Sequence, residues 1–429
     1  MPNLGTASSQ ATLMYQKLNK KIEISENLDE GVDAIFASIG KGEDIGLQDY
    51  RLNIQVEVGG SFSPNDPDGG AYPQGTGPEY KQGVIAPQSF MLSFTETELA
   101  DRIAKAGMDV TVENWVARMI GDAKKKLAHK RNQALQGYNT GLLATVDATY
   151  SSGTTVQLAA TPFGGRLIDR GDNISFTSSA YAFLGSAKVL AVSKNSIGAP
   201  DTITVDAVPS LTAGCLVLEP NLANNTPVFL QGLQYIVDPG SSGDYLGIDR
   251  GNDFVQAPAF NANSADLTLG AVYAFTTRMK QALGVGRFKA ERKKNVWYGH
   301  GAQWFASQSL GFGKQLVMVE GGKAPTYDGV PDPFAGQTLG GIEFMEDTVA
   351  ATDKLYFLDK STLVRIRYPG SERFLPGPID GIFFPRVTSG GLYSSQRDCF
   401  YQDSVQYATR LPWANGVIYN LAVPAVFSN

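Results

Sequence analysis

The chain has 429 residues, 43% hydrophobic and 18% charged, which excludes a disordered polar chain and allows two or three domains or one large subunit with insertions. Its formal net charge of −6, from 42 acidic and 36 basic residues, is the opposite of what a dedicated nucleic-acid binder carries. Two distant cysteines, Cys215 and Cys399, exclude a disulfide framework and fit a reducing compartment, and 47 glycines with 22 prolines favour strands and long loops over a helical bundle.

The first residues, "MPNLGTASSQATLMYQ", lack a basic start followed by an apolar core, so no secretory signal is expected. No run approaches the ~18 consecutive apolar residues of a membrane-spanning helix. Residues 1–50 read as a loosely structured arm with one short amphipathic piece, "LDEGVDAIFASIG". "YRLNIQVEV" then alternates Leu52, Ile54, Val56 and Val58 with polar partners, and "QSFMLSFTET" alternates Phe90, Leu92 and Phe94, both at strand period. The Gly- and Pro-rich stretch between them sustains neither regular element, so the two runs are expected to form a long two-stranded arm, residues 51–95, with an irregular tip. Such a hairpin is marginal alone, and Ile54, Val56, Phe90, Leu92 and Phe94 are expected to lie against something else.

The strongest helix follows. Asp109 or Thr111 is placed to cap it and Gly137 to end it. Val112, Trp115, Val116, Met119, Ile120 and Leu127 share one apolar stripe, the expected spine of a rod of about 25 residues and roughly 40 Å. Within it, "DAKKKLAHKR" gathers Lys124, Lys125, Lys126, Lys130 and Arg131. Lys124, Lys125 and Arg131 fall off the stripe, while Lys126 and Lys130 lie at or near it and must snorkel or touch a neighbour. The helix C-terminal half favours positive charge, so the run reads as a solvated helix side with a minor electrostatic role.

From residue 145 to 222, short Val, Ile, Leu and Thr runs recur between turn signals, which predicts a small β-barrel or sandwich inserted into a larger fold. Its "RGD", residues 170–172, is expected to be the turn feeding the strand "NISF". A second amphipathic helix places Val272, Phe275, Met279 and Leu283 on one face. "DKLYFLD" and "STLVRIRY" read as strands, and the chain closes on two strands around the turn in "ATRLPWANG". The fold class is α+β.

Chemistry is sparse. His129 and His300 lack partners at metal-ligand spacing, "GSSG" is no nucleophile elbow, and "GFGK" lacks the second half of a phosphate loop. Counting from Asp66, a calcium loop would need glycine and glutamate where Ala71 and Gly77 stand. No cofactor, metal or catalytic constellation is expected.

The order of parts carries a resemblance. "PDGGAYPQGTGPEY…VIAPQSFMLSFTETELADRIAKA", "VENWVARMIGDAKKKLAHKRNQALQG", "FLQGLQYIVDPGSSGDYLGIDRG", "VWYGHGAQWFASQSL", "DKLYFLDKSTLVRIRYPG" and "YQDSVQYATRLPWANGVIYNLAVP" together resemble the major capsid protein of tailed bacteriophages, the Hong Kong 97-type or Johnson fold. The resemblance implies an N-terminal arm (1–50), an extended E-loop (51–95), a spine helix with the start of a peripheral domain (96–144), the inserted β-domain (145–222), an axial domain with part of the peripheral domain (223–375), and C-terminal strands returning to the body (376–429). It implies self-assembly into hexamers and pentamers of an icosahedral shell around double-stranded DNA, made in the host bacterial cytoplasm and resident in the virion, with no membrane partner. Portal, scaffolding and decoration proteins are the implied partners, the scaffold supplied separately because the amino-terminal region is short. Ile54, Val56, Tyr80, Lys81, Phe90, Leu92 and Phe94 are then expected at intersubunit contacts. Lys124, Lys125, Lys126, Lys130 and Arg131 are expected to touch DNA or neighbouring subunits weakly and non-specifically. The relatives' Lys–Asn crosslink is not carried over to Lys81. Two alternatives are an encapsulin-like nanocompartment shell and a β-rich carbohydrate-binding or hydrolytic protein.

Overall fold

The computed structural model describes residues 31–39, 50–60, 75–97, 115–150, 153–195, 199–220, 229–251, 255–290, 294–307, 326–327, 330–331, 338–339, 342–368, 370–379, 381–387 and 393–424. Side chains of residues 37–39, 96–97, 115–120, 289–290, 326–327, 330–331 and 338 lie outside that set. Val112 and the expected helix caps Asp109 and Thr111 also lie outside it.

Tyr50–Glu57 forms a hairpin, but its partner is Glu79–Ile85, with Ile54 opposite Lys81 and Gln55 opposite Tyr80. The expected partner, Gln88–Thr97, instead pairs over its whole length with the strand Tyr393–Thr409, from Gln88 opposite Val405 to Thr97 opposite Gln396. The arm range 51–95 therefore ends too late, because residues 88–95 belong to the body. "EYKQGVI" hid its strand character behind polar residues and a glycine. Gly83 is needed there: a Cβ would come within 3.0 Å of the Leu246 Cβ. Pro87 follows the hairpin and marks where the chain leaves one sheet for the other.

Tyr393–Thr409, 17 residues long, organises a six-stranded sheet. It pairs with Gln88–Thr97, Leu363–Arg367, Arg373–Phe374 and Phe383–Val387. Ala37–Ile39 adds to Leu363–Arg367 in parallel, and the 3₁₀ turn Gly31–Ile35 before it buries Val32, Asp33 and Ile35. This segment is therefore part of the body rather than of a loose arm. A second six-stranded sheet runs Ala259–Ala265, Gly416–Leu421, Leu355–Asp359, Asn295–Gly299, Ile342–Glu346, Thr338–Leu339. The two expected C-terminal strands thus stand in different sheets, joined through the 3₁₀ turn Pro412–Ala414. The amphipathic helix Leu269–Leu283 covers this second sheet with Val272, Phe275 and Met279. Its start is capped by the Thr268 hydroxyl, which accepts from Ala271 N, and its end by Gly284 at φ +79°.

The inserted unit is a closed barrel. Its six strands run Leu142–Thr145, Leu216–Leu218, Asn173–Thr177, Phe183–Ser193, Asp201–Val205, Thr155–Leu158. Ala159 N donates to Thr145 O at 2.8 Å and Asp147 N to Gln157 O at 3.0 Å, which joins last strand to first. Ile174, Phe176, Ile203, Val205 and Val217 fill its interior, so the barrel carries its own core. It begins at Leu142, three positions before the expected boundary at 145, because the first strand directly follows the helix exit.

Candidate functional site: the long helix and the assembly surfaces

The long helix, Trp115–Leu135, lies between the barrel and the first sheet and ends near Gly137. Leu127, only 2% exposed, packs with Ala123 and Tyr401, and Phe90, Leu92 and Phe94 close over this cluster. The phenylalanines expected to need a neighbour therefore find a surface within their own chain. Ile54 likewise packs with Tyr235, Tyr245, Leu246 and Ile248, and half-buried Val56 lies against that cluster. Trp115, Val116, Met119 and Ile120 are on the helix, their side chains outside the described set.

The basic run divides. Lys124 and Lys125 are exposed, and Lys126 is half-buried beside a crevice of about 560 Å³ between helix, barrel and the strand Gln88–Thr97. Lys130 and Arg131 are drawn into the chain, part-buried and buried, where a solvated helix side was expected. Lys130 Nζ donates to Asp169 Oδ2 at 2.8 Å and Asp172 Oδ2 at 2.5 Å, pinning the barrel to the helix. Gln133 Nε2 adds a 3.0 Å bond to Asp169, and His129 Nε2 stands 3.5 Å from the same carboxylate. Burial works against the Asp169 charge, but the His129 hydrogen bond and the Lys130 ammonium outweigh it and hold this carboxyl well below its ordinary range. Asp172 belongs to the "RGD", whose carboxylate is thereby spent inside the joint. For Glu219, at the barrel exit, burial is the largest influence and pushes the carboxyl up to about 7, and the pull of Lys130 does not offset it.

Arg131 turns to the other side of the helix. Its Nε and Nη2 donate to Asp33 Oδ2 at 3.1 and 3.0 Å, and its Nη1 to Asp403 Oδ2 at 2.8 Å. Asp33 Oδ1 accepts from Arg365 Nη1 at 3.1 Å and from the Tyr407 hydroxyl at 2.5 Å, and Arg367 Nη2 reaches Asp403 at 3.0 Å. Burial opposes the Arg131 charge, but Tyr407, Asp33 and Asp403 outweigh it and raise its pKa further. Sequence reasoning missed Asp33, Asp403, Asp169 and Asp172. The partners named above lie 36 to 374 positions away, and nothing local marks them.

At the hairpin, Tyr80 and Val58 are 63% and 81% exposed, and Val84 is also exposed. Lys81 lies 3.7 Å from Glu79. Residues 61–74 of the tip lie outside the described set. Among the described residues, no group of three or more His, Cys, Asp or Glu is arranged to hold a metal ion, and no helix is long and apolar enough to cross a membrane.

No family model matches the chain, and no curated protein matches it by sequence. Among solved structures it is similar to the capsid of cyanophage A-1(L), with 13% identity, a TM-score of 0.51, and 96% of this chain and 98% of that one covered. The chain has a phage capsid fold. The resemblance read from the sequence holds at the level of fold. The capsid of an empty GTA particle is similar at 10% identity and a TM-score of 0.45, covering 93% of this chain and 99% of that one. An encapsulin from Synechococcus elongatus is similar at 8% identity and a TM-score of 0.40, covering 94% of each chain.

Proposed function

We propose that the protein is the major capsid subunit of a tailed bacteriophage, self-assembling into the icosahedral shell that encloses double-stranded DNA. The observation that carries this reading is the likeness to the cyanophage capsid, which runs through nearly the whole of both chains rather than through one domain. The hairpin supports it: its base is packed on the body, while Val58 and Tyr80 are held out in solvent. The role is structural, and the buried charged groups fit it, since Lys130, Arg131, Asp33, Asp169 and Asp403 are engaged in holding elements together. Contact with packaged DNA falls to exposed groups such as Lys124 and Lys125 and is weak and salt-dependent. Scaffolding, portal and decoration proteins are partners supplied from outside this chain.

Expression with the neighbouring phage proteins, followed by sedimentation and electron microscopy, tests the proposal. Closed shells with five- and six-fold capsomers are expected. A small oligomer under all those conditions would overturn it.

A further inference from the structure

We infer that a niche between the exit of the long helix and the second sheet binds a small zwitterion, a free α-amino acid. The niche, about 170 Å³, is lined by Tyr138, Gln234, Asp238, Lys354, Tyr356 and Tyr419. That is room for about five waters or one small amino acid. Strand register builds one wall. Leu355 stands opposite Ile418 and Tyr356 opposite Val417, so Lys354, Tyr356, Val417 and Tyr419 share one face of the sheet. Leu355, Phe357 and Ile418 take the other face, in the core under the helix Leu269–Leu283. The one-turn helix Leu233–Ile236 and the residues directly after it form the facing wall, which brings Asp238 to the sheet.

The polar groups of the niche carry both signs, and they do not satisfy each other. Tyr356 is 1% exposed, and its hydroxyl has no hydrogen-bond partner. On the neighbouring strand Tyr298 stands opposite it, and there the buried hydroxyl accepts from Gln136 Nε2 at 2.6 Å and donates to Asp347 Oδ2 at 2.7 Å. Buried tyrosines of this face are thus partnered where the chain supplies a group, and at Tyr356 it supplies none. Lys354 is part-buried and makes no ion pair or hydrogen bond among the described residues. Burial pulls its pKa down, and Asp353 and Asp238 do not make up the loss. Asp353 does not line the niche; Asp238 does. Asp238 Oδ1 accepts from Gly240 N at 2.8 Å and its Oδ2 from the Tyr138 hydroxyl at 3.0 Å, which fixes the carboxylate without neutralising it. Asp238 acts electrostatically on both Lys354 and Tyr356, yet neither closes on it. A fixed cation and a fixed anion therefore line the niche, and their charges cancel. A lone anion would be repelled by Asp238, and a lone cation by Lys354. A molecule carrying both signs avoids both repulsions. Its carboxylate accepts from the Lys354 ammonium and the Tyr356 hydroxyl, and its ammonium donates to Asp238. Water would give Tyr356 a partner but leave both charges without a direct counter-ion.

Calorimetric titration of the full-length, dissociated subunit with glycine, alanine and serine tests the site, with acetate and methylammonium as carriers of a single charge. At least one of the amino acids should bind saturably at a single site per chain, about tenfold tighter than either control. Lys354→Met and Asp238→Asn should each weaken that binding about tenfold. Melting without ligand checks that each variant folds, and Lys354→Gln replaces Lys354→Met if the latter does not. Tyr356→Phe removes the unpartnered hydroxyl and keeps both charges. It should melt no lower than the wild type yet bind about threefold more weakly, a split that a purely structural role does not give. Saturable binding by none of the three amino acids, or undiminished binding in either charge variant, would overturn the site. Acetate binding as tightly as the amino acids would overturn the zwitterion. Both results would leave the shell reading standing, since shells are scored without added ligand.

Discussion

Leu127 and Lys130 stand three positions apart on one helix, and different forces hold them. Leu127 fills a cluster with Ala123 and Tyr401, so Leu127→Ala should cost about 2–5 kcal/mol of subunit stability in chemical denaturation. Lys124→Gln and Lys125→Gln, on the exposed side, should each stay within about 0.5 kcal/mol in the same assay. Asp33→Ala strips the buried Arg131 guanidinium of one of its two carboxylates and Tyr407 of its acceptor. A loss of about 3–5 kcal/mol is expected, as when a buried ion pair is broken from one side. Glu219 gives a pH signature. Burial raises its carboxyl to about 7 in the folded chain, against about 4.5 when unfolded, so its protonated form favours folding. That contribution is complete below about 4.5 and disappears as pH rises through about 7. Glu219→Gln should therefore be neutral near pH 4.5 and stabilise the subunit at pH 8 by roughly 1–3 kcal/mol, read from melts across that range.

Elements were legible in the sequence where one face alone decided them. The helix Leu269–Leu283 and the strand texture of the barrel followed from periodicity, because Phe275, Met279, Ile174 and Phe176 repeat at the spacing their burial needs. Strand pairing was not legible. Alternation says that Gln88–Thr97 is a strand but not that its partner lies some 300 positions on, and Glu79–Ile85 lacked the alternation altogether. The candidate site suffered most, since a run of lysines and arginines looks alike whether it meets water or buried carboxylates. The barrel illustrates the consequence. It has its own core and hydrogen-bonded closure, yet it supplies both partners of Lys130. Replacing residues 142–218 by a Gly/Ser linker should leave a body that folds with reduced soluble yield and a lowered melting temperature. Adding Lys130→Met to that deletion should recover part of both, because it removes the stranded charge. Equal yields with and without Lys130→Met would show that the ion pair contributes nothing to the joint.

For the molecule as a whole, the proposed capsid role would have the hairpin separate folding from assembly. Its base is part of the core through Leu52, Ile54 and Ile85, and it narrows at Gly60, whose N donates to Thr76 O at 2.8 Å. Replacing residues 61–75 by a two-residue turn should leave circular dichroism and the melting of the dissociated subunit unchanged. It should also abolish or badly weaken stable shells, as seen by electron microscopy after chaotrope challenge. Normal shells from that chain would place the assembly contacts elsewhere. The long strand Tyr393–Thr409 has a further consequence, in time rather than space. Every strand that pairs with it, from Gln88–Thr97 to Phe383–Val387, precedes it in the chain, and Asp403, one of the two carboxylates on Arg131, is carried by it. During translation those earlier segments leave the ribosome before the strand that unites them exists. The first sheet must wait for Tyr393–Thr409, so on the proposed capsid reading a nascent chain joins no shell before that strand has emerged.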